Sequence, residues 1–322
     1  MMKIFNKILF VLIISLFAIS CSEDYEPFGV YRENYIMNSV LRSDTTQQIV
    51  TVSSSYNIRN FETGKVKDPA IEGAIVRIWE GDKVEFFSEA SVPSQPGGRY
   101  STPFIFYTVD NFVPKAGTTY EIEALLPNGR RLKSTTTLPK KISFYTNISK
   151  RIPPEDDSEI IHVAWFAPEP DRYVAARFKV VYFKNENGTE VRYEKIVPQE
   201  YIEFNGKILP HYPEPSFTNS IEIELKTFSR AMEEISEGEP DKTKFKILAF
   251  ILEIMVYDEY LTSYYASTSA ISEDFSISLD QAEYTNIEGG LGIFGSFYKQ
   301  RTAVKFTHEY IRSFGYEPGL TE

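Results

Sequence analysis

The most apolar stretch beyond the first twenty residues is Ile247-Leu248-Ala249-Phe250-Ile251-Leu252-Glu253-Ile254-Met255-Val256-Tyr257. A membrane-crossing helix needs about 20 apolar residues, so this stretch is too short to span a bilayer, and Glu253 interrupts it. A short run rich in branched and aromatic residues is typical of a strand buried on both faces. We therefore predict a central strand over 247–257 and a mainly β fold around it.

The residues directly after this strand predict a short helix. Asp258 is a residue type that caps helix N-termini, and the helical segment runs to about Ala270. Tyr260, Tyr264 and Tyr265 recur at helical spacing, which places them on one side of that helix. Packing onto the sheet is the favoured interpretation of these rings, and a platform that stacks on a ligand is the alternative.

The chain between 139 and 247 predicts further strands and a second short helix. Pro139-Lys140-Lys141 marks a boundary, and the helix is expected over Ser229–Glu237 with Ser229 as its cap. The expected strands are Ile160–Phe166, Tyr173–Phe183, Val191–Val197 and Ser220–Phe228. Residues 139–322 are thus predicted to form a larger β-sandwich-like domain with one or two short helices.

The chain before this boundary alternates with a period of two between turn residues. A hairpin is expected from Ala74–Trp79 and Lys83–Phe87 around a Gly-Asp turn. In Tyr120–Ala124 the apolar residues point inward and both glutamates outward, and Arg131–Leu138 follows as the next strand. This spacing predicts an immunoglobulin-like β-sandwich over 35–138.

Residues 1–20 have the pattern of a lipoprotein signal peptide. Lys3 and Lys7 give a positive start, and the apolar run from Ile8 to Ile19 that follows has the length of a signal-peptide core. Ser20 directly precedes Cys21, the one cysteine of the chain, although Ala18 stands where leucine is usual. We expect cleavage before Cys21 and acylation of that cysteine; the alternatives are an ordinary secretory signal or a buried free thiol.

The residues after Cys21 predict an acidic tether over 21–34. Ser22, Glu23 and Asp24 are similar to the export signal that carries Bacteroidetes lipoproteins to the outer face of the outer membrane. A solvated tether without a sorting role is the alternative. The expected location is therefore the outer membrane, with a lipid anchor and the protein facing the exterior.

Charge and composition limit the classes of partner and chemistry. The net charge of −11 argues against nucleic acid as a partner, because an acidic chain repels it. The three histidines, His162, His211 and His308, show no zinc spacing, and the acidic run Glu155-Asp156-Asp157 lacks the pattern of a calcium loop. Neither a nucleophile elbow nor a phosphate or dinucleotide loop is found, so we expect no metal, no cofactor and no catalytic residue.

A glycine-rich segment near the C-terminus is the candidate partner-binding loop. It contains Gly289, Gly290, Leu291, Gly292, Ile293, Phe294 and Gly295. Glycines permit positive φ and close approach of backbone, and the apolar residues between them would offer a docking surface. The other interpretation, a tight internal loop with Leu291, Ile293 and Phe294 buried, is favoured.

Three local patterns together resemble a family of uncharacterised Bacteroidetes lipoproteins with a domain of unknown function. They are Ile71-Glu72-Gly73-Ala74-Ile75-Val76 leading to Gly98-Arg99-Tyr100, Ala116-Gly117-Thr118-Thr119-Tyr120-Glu121-Ile122 followed by Thr135-Thr136-Thr137-Leu138-Pro139, and Asn286-Ile287-Glu288-Gly289-Gly290-Leu291-Gly292-Ile293-Phe294-Gly295. The resemblance implies an N-terminal immunoglobulin-like or carboxypeptidase-regulatory-like sandwich, a second β-rich domain, and TonB-dependent receptors as genetic neighbours.

These observations predict a non-enzymatic surface lipoprotein. The leading expectation is an accessory or ligand-capture subunit of an outer-membrane complex with a TonB-dependent β-barrel. The first alternative is an independent glycan- or peptide-binding lipoprotein, in which Tyr264, Tyr265 or Phe297 lines a groove. The second is a hydrolase whose site is assembled from distant residues.

Overall fold

The computed structural model describes residues 33–55, 66–98, 100–145, 151–155, 158–269 and 284–319. The fold is mainly β with a few short helices, as the sequence predicts. The expected lipidation site Cys21 and the expected export signal Ser22–Asp24 lie outside the described residues.

One large sheet runs through the whole described part of the chain. The strands of its main path, in spatial order, are β13 (Thr189–Val197), β12 (Val174–Glu186), β17 (Phe245–Tyr257), β18 (Leu291–Phe306), β1 (Tyr35–Arg42), β2 (Gln48–Ser54), β6 (Phe104–Val109) and β5 (Ser88–Val92). Two short strands attach to its sides, β10 (Arg151–Ile152) to β18 and β19 (Glu317–Pro318) to β17.

Smaller sheets and helices complete the fold. One sheet contains β4 (Lys83–Phe86), β3 (Ile75–Glu80), β7 (Thr119–Leu125) and β8 (Arg131–Thr137), and another contains β16 (Ser220–Glu224), β11 (Ile160–Phe166) and β9 (Ser143–Phe144). A separate hairpin pairs β14 (Glu200–Phe204) with β15 (Lys207–His211). In the described ranges the helices are α1 (Leu225–Glu233), α2 (Glu259–Ser269) and α3 (His308–Ser313), with two short 3-10 turns over Glu234–Ser236 and Lys242–Lys244. None of the helices in the described ranges is long and apolar enough to cross a membrane.

Two hydrophobic cores share one face of the large sheet. The N-terminal core lies between β1, β2 and β6 and the sheet of β3, β7 and β8, and it contains Met37, Val50, Tyr107 and Tyr120. The C-terminal core lies between β12 and β17 on one side and β11, β16 and α1 on the other, and it contains Trp165, Phe178, Phe228 and Phe250. Each core is thus a β-sandwich-like packing of two sheets, because alternate residues of each strand point inward.

The predicted central strand is confirmed. β17 lies between β12 and β18, and Leu252, Ile254 and Val256 are buried in the C-terminal core. The helix expected after it is confirmed as α2, since the backbone N–H of Leu261 donates to the Asp258 carboxylate at 2.8 Å.

One local prediction is wrong, and another needs a qualification about burial. The helix expected from Ser229 starts at Leu225, and the Ser229 hydroxyl donates to the Leu225 carbonyl oxygen inside α1, so Ser229 is not the cap. The alternation predicted for β7 is confirmed, because Tyr120, Ile122 and Ala124 lie in the core and Glu123 lies opposite Arg77 on the other face. The Glu123 carboxylate is nevertheless only 2 % exposed, since Arg77, Arg131 and Lys133 surround it on that face. Three cations make burial of that charge tolerable.

The glycine-rich segment is not a loop from Leu291 onward. Leu291 to Phe306 form β18, which pairs in parallel with β1 and antiparallel with β17. Phe294 and the preceding Ile287 belong to the N-terminal core, although both stand far beyond the expected boundary at residue 138. The sheet is therefore continuous across that boundary, and the division into two domains stays a prediction.

The glycines of this segment permit close contact between backbones. A Cβ atom on Gly290 would lie 2.5 Å from the Tyr35 carbonyl oxygen and 2.6 Å from Leu132 Cδ2. Gly292 has φ +111°, and its Cβ atom would collide with the Met37 carbonyl oxygen. These contacts explain why glycine stands where β18 joins β1.

We predict that Gly292→Ala destabilises the protein by about 3 kcal/mol, because it combines a left-handed φ with overpacking of a strand junction. The matched control is Gly129→Ala, whose φ of +82° carries the same backbone strain but whose Cβ atom meets nothing within 4 Å. Urea unfolding of both variants measures the difference. Equal losses of unfolding free energy would contradict the close-approach explanation.

Candidate functional site

The candidate site lies on the face of the large sheet that points away from both cores, which we call the outer face. Helix α2 rests on this face, where Leu261 packs with Tyr257 of β17 and Ala175 of β12. A Cβ atom on Gly295 would lie 2.6 Å from Leu261 Cγ, so glycine at this position lets the helix sit directly on the strand.

A groove of about 560 Å³ runs along α2 over β1 and β2. Strand alternation builds its floor, because β1 buries Met37 and Leu41 in the core and presents Val40 and Arg42 on the other side. Its lining residues are Asn38, Ser39, Val40, Arg42, Gln47, Gln48, Ile49, Thr51, Leu261, Tyr264, Tyr265, Tyr284, Gly292 and Ile293. The groove thus combines aromatic, aliphatic and amide side chains.

The tyrosines of α2 form one wall of this groove. Tyr265 stacks on Tyr257 with ring centroids 5.1 Å apart and an interplanar angle of 20°, and Tyr264 meets Tyr265 edge-on at 5.6 Å. The prediction that these rings pack onto the sheet is therefore confirmed for Tyr265. Tyr264 is 40 % exposed and lines the groove, and its ring rests against the packed ring of Tyr265.

The structure separates the seven residues of the glycine-rich segment into different roles. Gly292 and Ile293 line the groove, whereas Phe294 is fully buried. Gly289 and Gly290 lie against Arg131 and Leu132 at the entry to β18, before Leu291 and Gly295 continue along the strand. Partner binding by the whole segment stays a prediction; the expectation of buried apolar residues holds for Phe294.

A cluster of charged side chains lies beside the groove on the same face. Its centre is Glu253 of β17, which is 1 % exposed and accepts bonds from cations on both neighbouring strands. Arg177 Nε and Lys179 Nζ lie 3.0 and 2.9 Å from Oε2. Lys299 Nζ and Arg301 Nη2 lie 3.0 and 2.8 Å from Oε1.

This cluster reaches the groove through Asp44. Lys299 bonds to Asp44 at 3.1 Å, and Asp44 accepts two bonds from Arg42, which lines the groove. On the opposite side, Glu194 joins Lys179 to Arg192. We call this connected set the charge cluster; its members are the cations Arg42, Arg177, Lys179, Arg192, Lys299 and Arg301 and the carboxylates Asp44, Glu194 and Glu253.

The cations control the ionisation of Glu253. Burial alone would raise the pKa of Glu253, but hydrogen bonds from Lys179 and Lys299 outweigh it and lower the pKa from 4.5 to about 2. Glu253 is therefore ionised at neutral pH, and its charge orders four long cationic side chains on the outer face.

A second buried carboxylate fixes α2 in place. Asp258 accepts bonds from the Thr136 hydroxyl of β8 and from the Leu261 N–H, and its own N–H donates to the Ser296 carbonyl oxygen at 2.9 Å. Burial raises the pKa of Asp258 to about 6, although these bonds oppose the shift. The carboxylate thus ties the helix beside the groove to β8 and β18.

Two of the three histidines lie beside glutamates on the protein surface. His162 Nδ1 lies 2.9 Å from Glu222 Oε1, and His211 Nδ1 lies 3.3 Å from Glu200 Oε1. Both glutamates border a mixed-charge groove of about 600 Å³ that also contains Lys226 and Arg230. Among the described residues, no group of three or more His, Cys, Asp or Glu side chains is placed to hold a metal ion.

The charge cluster was missed by sequence reasoning. Glu253 inside an apolar run was the available signal, because a buried charge requires partners. Its partners stand at 177, 179, 299 and 301, and only the pairing of β12, β17 and β18 brings them together.

Comparison with known proteins gives one family. A family model described as Domain of unknown function (DUF4249) matches residues 23–303, which is well over half of the chain. No curated protein matches the chain.

We predict that Glu253→Gln lowers the free energy of unfolding by about 3 kcal/mol at pH 7, because it leaves clustered cations without their central counter-charge. Because the folded-state pKa is lowered, the contribution is present above pH 4.5 and is lost as the pH falls towards 2. Urea titrations from pH 7 to 3 measure it. The exposed Glu121 provides the control variant Glu121→Gln; a loss as small as that control would contradict the cluster's role.

For Asp258, the folded state binds the proton more tightly than the unfolded chain, since the pKa rises from 3.8 to about 6. The stability from this group is fully present below about pH 4 and disappears as the pH rises through 6. We therefore predict that Asp258→Asn gains stability relative to the wild type between pH 4 and 7. Asp82→Asn, which removes an exposed carboxylate, is the control. A pH-independent difference for Asp258→Asn would refute the assignment.

Proposed function

The chain belongs to the family with the domain of unknown function DUF4249, and we propose that it is a non-enzymatic ligand-capture lipoprotein of the outer membrane. In this proposal the acylated Cys21 anchors the protein, and Ser22, Glu23 and Asp24 direct it to the cell exterior. The protein captures its ligand as an accessory subunit of a TonB-dependent β-barrel.

The observation that carries the proposal is the groove on the outer face. Ligand sites in proteins are concave, have volumes of about 300–1,000 Å³, and combine an apolar lining with a few orienting polar groups. The groove matches this description, because Ile49 and Tyr264 are exposed beside Asn38 and Gln47. An exposed tyrosine held by packing offers a large contact area at a low cost in conformational entropy.

The site is built on rigid elements. β1 pairs with β18 and β2, and α2 is tied down by the Asp258 bonds and by the stacking of Tyr265 on Tyr257. A preformed groove binds without the entropic cost of ordering its walls. This supports capture of a ligand rather than a purely architectural role.

The lipid anchor and the barrel partner rest on other support. The charged start, the apolar core and the single cysteine at the processing position favour the anchor. The resemblance to Bacteroidetes lipoproteins favours the TonB-dependent barrel. The same groove also suits the second candidate, an independent glycan- or peptide-binding lipoprotein, so the presence of a barrel distinguishes the two.

We predict that the C-terminally tagged protein, purified from its native cells in mild detergent, brings down a TonB-dependent barrel, and that protease treatment of intact cells removes the tag. The variant Cys21→Ala is the control and should leave the membrane fraction and lose the barrel. Purification of the wild-type protein without any barrel would contradict the subunit role and favour the independent binder. Survival of the tag in intact cells would contradict the exterior location.

A further inference from the structure

The charge of the groove differs in sign from the charge of the chain. Among the described residues that line it, Arg42 is the one charged side chain. The charge cluster that continues from Arg42 contains six cations and three carboxylates, an excess of positive charge. The whole chain has a net charge of −11, so the charge cluster is a local excess of positive charge on an acidic protein.

Arg42 is held in a fixed position where the charge cluster meets the groove. Its Nε and Nη2 atoms donate to Asp44 at 3.0 and 3.2 Å, and its guanidinium lies 5.7 Å from the centre of the Phe297 ring. The side chain is still 51 % exposed, and these bonds do not use Nη1. Asp44 also accepts a bond from Lys299, so its single negative charge is shared between two cations. Arg42 is therefore only partly neutralised and can attract a second anion.

The backbone of the groove is not available for binding a peptide as an added strand. β1 is paired with β18 and β2 on its two sides, and β2 is paired with β1 and β6. Extended peptides gain much of their affinity from the unpaired N–H and C=O groups of a sheet edge. The floor of this groove is the face of a sheet, so recognition must go through side chains.

The side chains present suit a sugar chain. The exposed ring of Tyr264 offers an apolar surface on which the C–H face of a sugar ring can pack, and Ile49 of β2 adds an exposed apolar side chain on the floor. Asn38 and Gln47 also line the groove. Asn38 Oδ1 accepts from the Ile293 N–H and Gln47 Nε2 donates to Asp110, so these bonds leave Asn38 Nδ2 and Gln47 Oε1 to meet hydroxyl groups of a ligand. Together with Arg42, these groups match a sugar that carries a negative charge.

We propose that the groove binds an oligosaccharide whose sugars carry carboxylate groups, with Tyr264 as the stacking residue and Arg42 as the residue that binds a carboxylate. The proposal rests on the ligand-capture function proposed above and names its substrate class. Selectivity for the acidic ligand comes from Arg42, and attraction at longer range comes from the rest of the charge cluster.

The test measures binding by calorimetry with the full chain in detergent micelles. The probes are a tetramer of galacturonic acid and the same tetramer with its carboxylates converted to methyl esters, which differ in charge and keep the sugar rings. A charge-assisted hydrogen bond contributes about 1.5–3 kcal/mol, so the acid should bind roughly ten- to a hundredfold more tightly than the ester. Added salt should weaken binding of the acid and leave the ester unchanged.

Variants assign the selectivity to single residues. Arg42→Gln should remove the preference for the acid, and Tyr264→Ala should weaken both probes. Arg192→Gln is the matched control, because Arg192 belongs to the same cluster with 54 % exposure but does not line the groove; it should leave the preference in place. If Arg42→Gln fails to fold, Arg42→Lys should keep the preference for the acid in reduced form.

Three results would overturn the inference. Equal affinity for the acid and the ester would show that the groove takes neutral glycans, which leaves the capture function standing. If Arg192→Gln loses the preference for the acid as fully as Arg42→Gln does, the selectivity comes from the summed charge of the cluster and not from a contact in the groove. If neither probe binds, the acidic-sugar assignment fails, while copurification with the barrel decides the capture function separately.

Discussion

The pairing of β18 with β17 on one side and β1 on the other is the constraint on which the rest of the structure depends. The N-terminal core needs Phe294 from the start of this strand, and the C-terminal core needs Val304 from its end. A single sixteen-residue strand therefore closes both cores. Because β1 and β18 are separated by about 250 residues in the chain, this parallel pairing carries a large cost in chain entropy, and burial of both cores offsets it.

The local pattern of the sequence predicts much of the fold and little of its assembly. Alternation identifies the hairpin at 75–86 and the strands at 119–137, and the apolar run at 247–257 identifies the centre of the sheet. The parallel partner of β1 has no local signature, so the glycine-rich segment is read as a loop although Leu291 begins a strand. The start of α1 at Leu225 is missed because Ile221 and Ile223 continue the strand pattern up to that residue.

The site is predictable only where a single element builds it. Tyr264 and Tyr265 are recognised from helical spacing, and their wall of the groove follows from the helix alone. The floor and the charge cluster require the order of the sheet, since Arg42, Lys299 and Glu253 become neighbours through β1, β18 and β17. The same pairing that closes the cores thus also arranges the outer face: α2 covers one part of it, paired charges cover another, and the groove lies where neither does.

Ligand capture requires that this groove is occupied in the cell, and hydroxyl-radical footprinting measures that occupation most directly. The protein is oxidised in its native membranes and after purification, and the modification of single side chains is compared by mass spectrometry. Protection of Tyr264 and Ile49 in the membranes, with unchanged oxidation of Phe86 and of Phe204 on the β14–β15 hairpin, is the expected result, since both phenylalanines are exposed away from the groove. Equal oxidation of Tyr264 in both states, or protection confined to Phe204, would contradict the assignment of the groove as the functional site.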